Sequence, residues 1–462
     1  MLLYAPLLLR FAAYAFAPPT EAEIDQFLAK AQTKVNAPGM SVAIVRNGKL
    51  AYAKGFGFAD VEGKVPASGQ TVYRLGSVTK QFTATVIMQL VQERKLALDD
   101  PIRRHIPDLP AAWEKITVRN LLNHTSGIYN YTGLPHMMDK MVLRHTEPRG
   151  IVKTVEDRPL EFEPGSRWDY SNTGYEVLGL IAEKVDGQPL GESLKKRIFR
   201  PLGMGSTYFT LDGKIARRHA KGYTVRNGKL ADADPIDMSW PYAAGSMEST
   251  VVDLAKWDAA LYGDKILPQA ALKQMWTETV LSTGNKTGYG FGWALGEVNG
   301  APIIEHGGGI PGFTTDIRRA PSHGLTVIVL TNSDNGDPGG VAGRLMGFLD
   351  PELTLAAAAG IPDNDPATTA LARSTFESVL SGNLDRSKLS PQMAKLLTPE
   401  FLAGAKAQLN AAGPLIAFTL LAATDEPGLK HRTYAVTLGE TTLKFQFDLS
   451  ADGIIQGMSL HG

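Results

Sequence analysis

The sequence predicts an α+β protein: an antiparallel sheet flanked by helices, a long helical subdomain, and a small second α+β domain. Three observations carry this. Short β-rich segments occur at 42–52 and again at 302–330, with mainly helix and loop between, so the first and last strands of one sheet should meet. Residues 351–368 contain Ala356-Ala357-Ala358-Ala359-Gly360 and Pro362-Asp363-Asn364-Asp365-Pro366, the composition of a linker. Beyond it, helical spacing gives way to alternation of apolar and polar residues, the pattern of an antiparallel meander.

Taken in order, Met1 to Ala17 is an apolar run ending in Ala15-Phe16-Ala17, which resembles a secretory leader with a small-x-small cleavage site. Arg10 interrupts it, so an N-terminal helix is the alternative. Residues 20–36 space Ile24, Phe27, Leu28 and Ala31 on one helical face. Val42, Ile44 and Val45 before Asn47-Gly48, with Leu50 and Tyr52 after it, predict a hairpin with a type I′ turn. Phe82, Val86, Ile87, Leu90 and Val91 predict a helix over 81–94, and strands are expected at 302–305, 313–318 and 325–330. The main domain should span 20–350 and the accessory domain 369–462. In the latter, helices are expected near 371–380 and 393–409. Strands follow around Tyr434–Leu438 and Leu443–Leu449, and Asp452-Gly453 makes a turn.

Composition narrows the chemistry. Lys plus Arg number 47, as do Asp plus Glu, so no concentrated basic charge argues for nucleic acid. With no cysteine in the chain, disulfides, thiolate metal sites and cysteine nucleophiles are excluded. Outside the N-terminus no segment approaches the ~20 apolar residues of a membrane span. Neither H-E-x-x-H, G-x-S-x-G nor a phosphate-binding G-x-x-x-x-G-K-[ST] occurs, so no metal, cofactor or nucleotide is assigned.

Three short motifs carry the chemistry. Ser77-Val78-Thr79-Lys80 precedes a helix, and residues three apart share a helical face, so Lys80 would sit beside Ser77 and could take its proton. Alone it also reads as a helix cap followed by an exposed lysine. Tyr170-Ser171-Asn172 would direct a phenol and an amide the same way from an extended loop, or else pack an aromatic on the core. His306-Gly307-Gly308-Gly309 follows a predicted strand and lets a substrate backbone approach closely, or else forms a flexible turn.

S-x-x-K, Y-x-N and H-x-G in this order resemble the class C branch of the β-lactamase and penicillin-binding-protein superfamily. Further similar stretches are Tyr73–Ser77, Leu121–Gly127 and Tyr289–Trp293, and the resemblance covers roughly residues 22–350. It implies the sheet-and-helices fold of that family and a serine hydrolase forming an acyl-enzyme. Ser77 would be the nucleophile, with Lys80 and Tyr170 sharing proton transfer and Asn172 orienting Lys80 and substrate. The N–H groups of Ser77 and Gly309 would form the oxyanion hole. His306 stands where β-lactamases of this branch carry a lysine, which weakens the case for strong β-lactam turnover. The implied substrates are a short-chain ester, a D-amino-acid peptide or amide, or a β-lactam. A penicillin sensor that acylates but turns over slowly is the competing reading. The accessory domain could cap the cleft, bind a partner or dimerise.

Overall fold

Local signals set the first elements of the computed structural model, which describes residues 18–35, 37–135, 137, 141–212, 218–354, 360–439 and 441–461. Thr20 and Glu23 form a reciprocal capping box that starts helix α1, Glu21–Lys34, which buries Ile24, Leu28 and Ala31. Strands β1, Gly39–Arg46, and β2, Lys49–Asp60, form the expected hairpin, with Asn47 at φ 50° and Gly48 at φ 70°. A two-residue strand, β3, Val65–Pro66, pairs with the end of β2. The leader expected over residues 1–17 lies outside the described residues.

The chain then enters the helical region. Helix α2, Thr79–Gln92, is buried almost all round, and helix α3, Asn172–Asp186, packs against it. A single-turn helix, α4, Tyr242–Gly245, lies against both, and α5, Val251–Ala260, packs on β1. The chain returns through β4, Ala294–Val298, β5, Ala301–Ile310, β6, Phe313–Ala320, and β7, Leu325–Thr331. Sheet order is β3-β2-β1-β7-β6-β5-β4. The first and last long strands do meet, Met40 opposite Thr331 and Arg46 opposite Leu325.

Both faces of the central strands are covered. Val42, Ile44, Val327 and Val329 join one apolar cluster with α1 and α6, Pro338–Leu349, while Ala43, Val45, Ile328 and Leu330 join the other with α2 and its neighbours. Two-sided burial explains why these strands read as continuous apolar runs. Helix α6 was not visible as an apolar stripe because glycines interrupt it. Asp337 caps it through Gly340 N, and Pro338 opens its first turn.

Beyond a short turn at Pro351–Leu353, helices α7, Pro366–Ser381, α8, Pro391–Leu396, and α9, Pro399–Ala412, precede a four-stranded antiparallel sheet. Its strands are β8, Leu415–Glu426, β9, Leu429–Leu438, β10, Thr441–Ser450, and β11, Ile455–His461. Phe376, Met393, Tyr434, Phe445 and Phe447 form its separate core. Two expectations need correction. Helix α7 begins inside the expected linker, because Asp365 accepts from Thr368 N and Pro366 starts the helix. The third motif lies within β5, because His306 to Gly309 pair with Ile317 to Thr314 on β6.

Candidate active site

Ser77 occupies a tight turn, Gly76–Val78, that runs directly into α2, and Lys80 lies in the first turn of that helix. Ser77 is partly exposed and Lys80 is 0% exposed, which excludes the surface-lysine reading of the motif. Lys80 Nζ donates to Ser77 Oγ at 3.2 Å, Asn172 Oδ1 at 2.8 Å and Ala244 O at 3.0 Å. All three ammonium hydrogens are therefore used, on uncharged acceptors. Burial pulls the Lys80 pKa down to about 7, with Glu176 opposing the fall.

Tyr170 and Asn172 come from the start of α3. Ser171 caps the helix through Gly174 N, so Asn172 is its first residue; only Tyr170 sits in the extended approach. That corrects the expectation of one extended loop, yet both residues still reach Lys80. Lys80 Nζ lies 4.7 Å from the centre of the Tyr170 ring and 5.3 Å from that of Tyr175. The Tyr170 hydroxyl is buried and closes no hydrogen bond among the described residues. Burial raises its pKa, with the Ser77 hydroxyl opposing, so the phenol is neutral at pH 7.

Two further residues fix this approach. His124, at φ 61°, accepts from Ser171 N through Nδ1 at 3.2 Å and lays its ring 4.2 Å from that of Tyr170. Burial holds it well below the usual histidine range. Asn130 Oδ1 accepts from Asn172 N at 3.2 Å, and its amide donates to Tyr170 O at 3.3 Å. Sequence reasoning missed Asn130, since nothing local to Tyr129–Tyr131 marks it.

Gly309 faces this cluster. The turn Pro311-Gly312 joins β5 to β6 with Ile310 opposite Phe313. Antiparallel alternation then turns the N–H and C=O of Gly309 away from β6. They meet Gly76: a Cβ there would fall 2.9 Å from Gly309 N and 3.1 Å from Gly309 O. On Gly309 itself a Cβ would meet nothing within 4 Å. Gly308 is pinned instead, since a Cβ would fall 2.0 Å from Leu75 O.

His306 points into a hydrogen-bond chain. Nδ1 donates to Gly307 O at 2.6 Å, so Nε2 is the acceptor for the Tyr289 hydroxyl at 2.8 Å. Burial lowers its pKa to about 4, with Lys80 adding to the fall. The ring is neutral and both nitrogens are engaged. Its partner comes from the segment Tyr289–Trp293, which the resemblance singled out without a role. Elsewhere, His323, Asp350 and Glu352 bring ligand-type atoms within 4.8 Å of one another. Asp350 there accepts from His323 Nδ1 and Glu352 N, which accounts for the group as a cap of the turn at Pro351.

A serine hydroxyl beside a desolvated amine, a neutral phenol and a strand amide turned away from its paired strand is an arrangement able to perform acyl transfer. Comparison with known proteins agrees. The beta-lactamase family profile matches residues 24–348. Penicillin-binding protein 4* of Bacillus subtilis is 30% identical over 309 residues, 64% of this chain and 68% of that protein. A D-stereospecific amidohydrolase from Streptomyces sp. superposes with TM-score 0.63 at 30% identity, covering 72% of this chain and 99% of that one. An octameric penicillin-binding protein homologue from Pyrococcus abyssi has the same TM-score, 0.63, at 25% identity, covering 96% of this chain and 99% of that one. The chain belongs to the beta-lactamase family and is a serine hydrolase of that family.

Proposed function

We propose that the protein hydrolyses amide and ester bonds through an acyl-enzyme on Ser77, with amides or short peptides of D-amino acids as its main substrates. The observation that carries this is the placement of Lys80 Nζ, 3.2 Å from Ser77 Oγ and 2.8 Å from Asn172 Oδ1 in a fully buried position. Neutral Lys80 takes the Ser77 proton as Oγ attacks the carbonyl carbon. The neutral Tyr170 phenol passes a proton to the departing amine or alcohol, and Asn172 keeps Lys80 in line. The N–H groups of Ser77 and Gly309 hold the carbonyl oxygen as it becomes negative. Water then releases the acid by the reverse proton path. The D-configured substrate class is supported by the likeness to a D-stereospecific amidohydrolase. An engaged, neutral His306 offers β-lactam carboxylates no charge, which argues for weak turnover of β-lactams.

The same reading divides the chain into a catalytic unit over 20–350, a connection over 351–368 and an accessory unit over 369–462. It includes export, supported by the apolar run Met1–Ala17. Among the described residues no helix is long and apolar enough to cross a membrane. The test is a hydrolysis panel of D- and L-amino-acid anilides, p-nitrophenyl esters and nitrocefin, alongside Ser77→Ala. Preference for D over L anilides, lost in the variant, is the expected outcome. A stoichiometric burst without turnover on every substrate would overturn the hydrolytic assignment in favour of a binding protein.

A further inference from the structure

Glu176 sits one helical turn beyond Asn172 on α3. It is 0% exposed, and neither carboxyl oxygen closes a hydrogen bond to a side chain among the described residues. A buried carboxyl with no side-chain partner demands an explanation. Lys80 presents the converse problem. Its ammonium is fully buried, and its acceptors on Ser77, Asn172 and Ala244 are all uncharged. An isolated ion in that setting is costly to bury, so the amine either gives up its proton or keeps it beside an opposite charge.

We infer that Glu176 is the counter-ion of Lys80: a positioning residue that balances the buried ammonium and sets the pH at which Lys80 becomes a free base. This deepens the reading of Lys80 as the base for Ser77 and rests on it.

The short helix α4 links the two groups. Its carbonyls accept from the helix α2 side, Ala244 O from Lys80 Nζ and Ala243 O from Thr83 Oγ1 at 2.7 Å. The backbone amides of the same two residues act on Glu176. Those amides and the Lys80 ammonium are all positive ends of dipoles or charges, so they complement a carboxylate. A protonated Glu176 would instead need an acceptor for its own proton, and its surroundings supply donors. Burial works against the carboxylate and pushes the group well above the usual carboxylate range.

Other titratable groups face the pair. Tyr131 and Tyr242 lie near Glu176, and Tyr170 and Tyr175 cover Lys80, with all four phenols raised by burial and neutral. Lys80 also acts on His124 and His306, and burial keeps both neutral. None of these supplies negative charge at neutral pH, which leaves Glu176 as the balancing group.

The experiment is Glu176→Gln in the full chain, near-isosteric and uncharged. kcat/KM for p-nitrophenyl acetate and the rate of fluorophosphonate labelling of Ser77 are measured from pH 5 to 9. A carboxylate raises the pKa of a neighbouring ammonium, so its loss should lower the midpoint of the acid limb by about one pH unit or more, with KM little changed. A folded Gln variant whose midpoint stays at the wild-type value or rises overturns the proposal. Should that variant fail to fold, Glu176→Asp carries the test. Its carboxylate is withdrawn by one methylene, so the midpoint should fall by a few tenths of a unit, and an unchanged midpoint overturns the proposal. Lys80→Ala separates the two readings. If it keeps wild-type labelling and pH profile, Lys80 is not the base; if it abolishes them while Glu176→Gln leaves the midpoint unmoved, only the counter-ion role fails.

Discussion

Removing the Ser77 hydroxyl should abolish fluorophosphonate labelling and reduce turnover on the order of 10⁶-fold, the scale of losing a hydrolytic serine. Labelling of a Ser77→Ala protein at the wild-type rate would assign the nucleophile elsewhere. Lys80 and Tyr170 serve one proton path from Ser77 in the proposed mechanism, so their losses should not multiply: Lys80→Ala/Tyr170→Phe should be little worse than the poorer single variant in kcat/KM. His306 yields a pH expectation of a different kind. Burial depresses its pKa to about 4, so the unfolded chain binds a proton that the folded protein refuses between ~6.5 and that value. Stability from this group is therefore complete above ~pH 6.5 and is lost as pH falls toward 4. The melting temperature should drop less steeply over that range in His306→Gln than in the wild type. The gathering of Ser77, Lys80, Tyr170 and Asn172 at one place was legible because spacing within one short motif carried each pair. Asn130 and Glu176 were not, because the tertiary fold brings each to its partner: Asn130 bonds a residue 42 positions away, and Glu176 acts electrostatically on one 96 positions away.

At the scale of elements, the site depends on how closely the Ser77 turn approaches β5. Gly76 has φ 53°, and a Cβ on it would crowd Gly309 N at 2.9 Å. Gly76→Ala should thus strain the turn and move the strand amide away from the carbonyl it would hold. Expected are a loss of about 10²–10³ in kcat, as for one oxyanion donor, and a stability loss of about 1–3 kcal/mol by chemical denaturation. Normal kcat with lowered stability would mean that the strand moves freely and Gly309 is not a donor. The elements themselves were legible where local chemistry was decisive. Asn47-Gly48 marked the first hairpin, and the apolar spacing of Phe82 to Val91 marked α2. Strand β5 was cut short at Glu305 because glycines carry no β propensity; here pairing with β6 and the close approach of Leu75 and Gly76 hold them extended. Strand β4 was missed because it is a short edge strand with little buried surface, and β8 because its outer half is exposed.

For the whole molecule, the question is whether catalysis needs the residues after the turn at Pro351. Among the described residues, the seven-stranded sheet and both apolar clusters that cover it draw on nothing beyond Leu353. The third cluster begins at Ala372 and is closed by residues of α7–α9 and β8–β11. Polar interactions join the two among the described residues: Arg344 donates to Thr441 Oγ1 at 3.3 Å, and Lys395 of α8 acts electrostatically on Glu161, in the loop that leads to Tyr170. Interfaces of that character contribute little to folding. A chain ending at Leu353 should therefore fold and retain kcat on p-nitrophenyl acetate within a few-fold of the full chain. Larger peptide substrates are the more sensitive probe, because Lys395 of α8 acts on Glu161 in the loop leading to Tyr170 and the same helix exposes Leu396. If the shortened chain gains activity on peptides while keeping it on small esters, the accessory unit restricts entry to the cleft. If it loses activity on peptides alone, that unit helps to bind them. A soluble, folded shortened chain that fails to label Ser77 would show instead that the catalytic unit is incomplete without residues 369–462, and the proposed division of the chain would have to be abandoned.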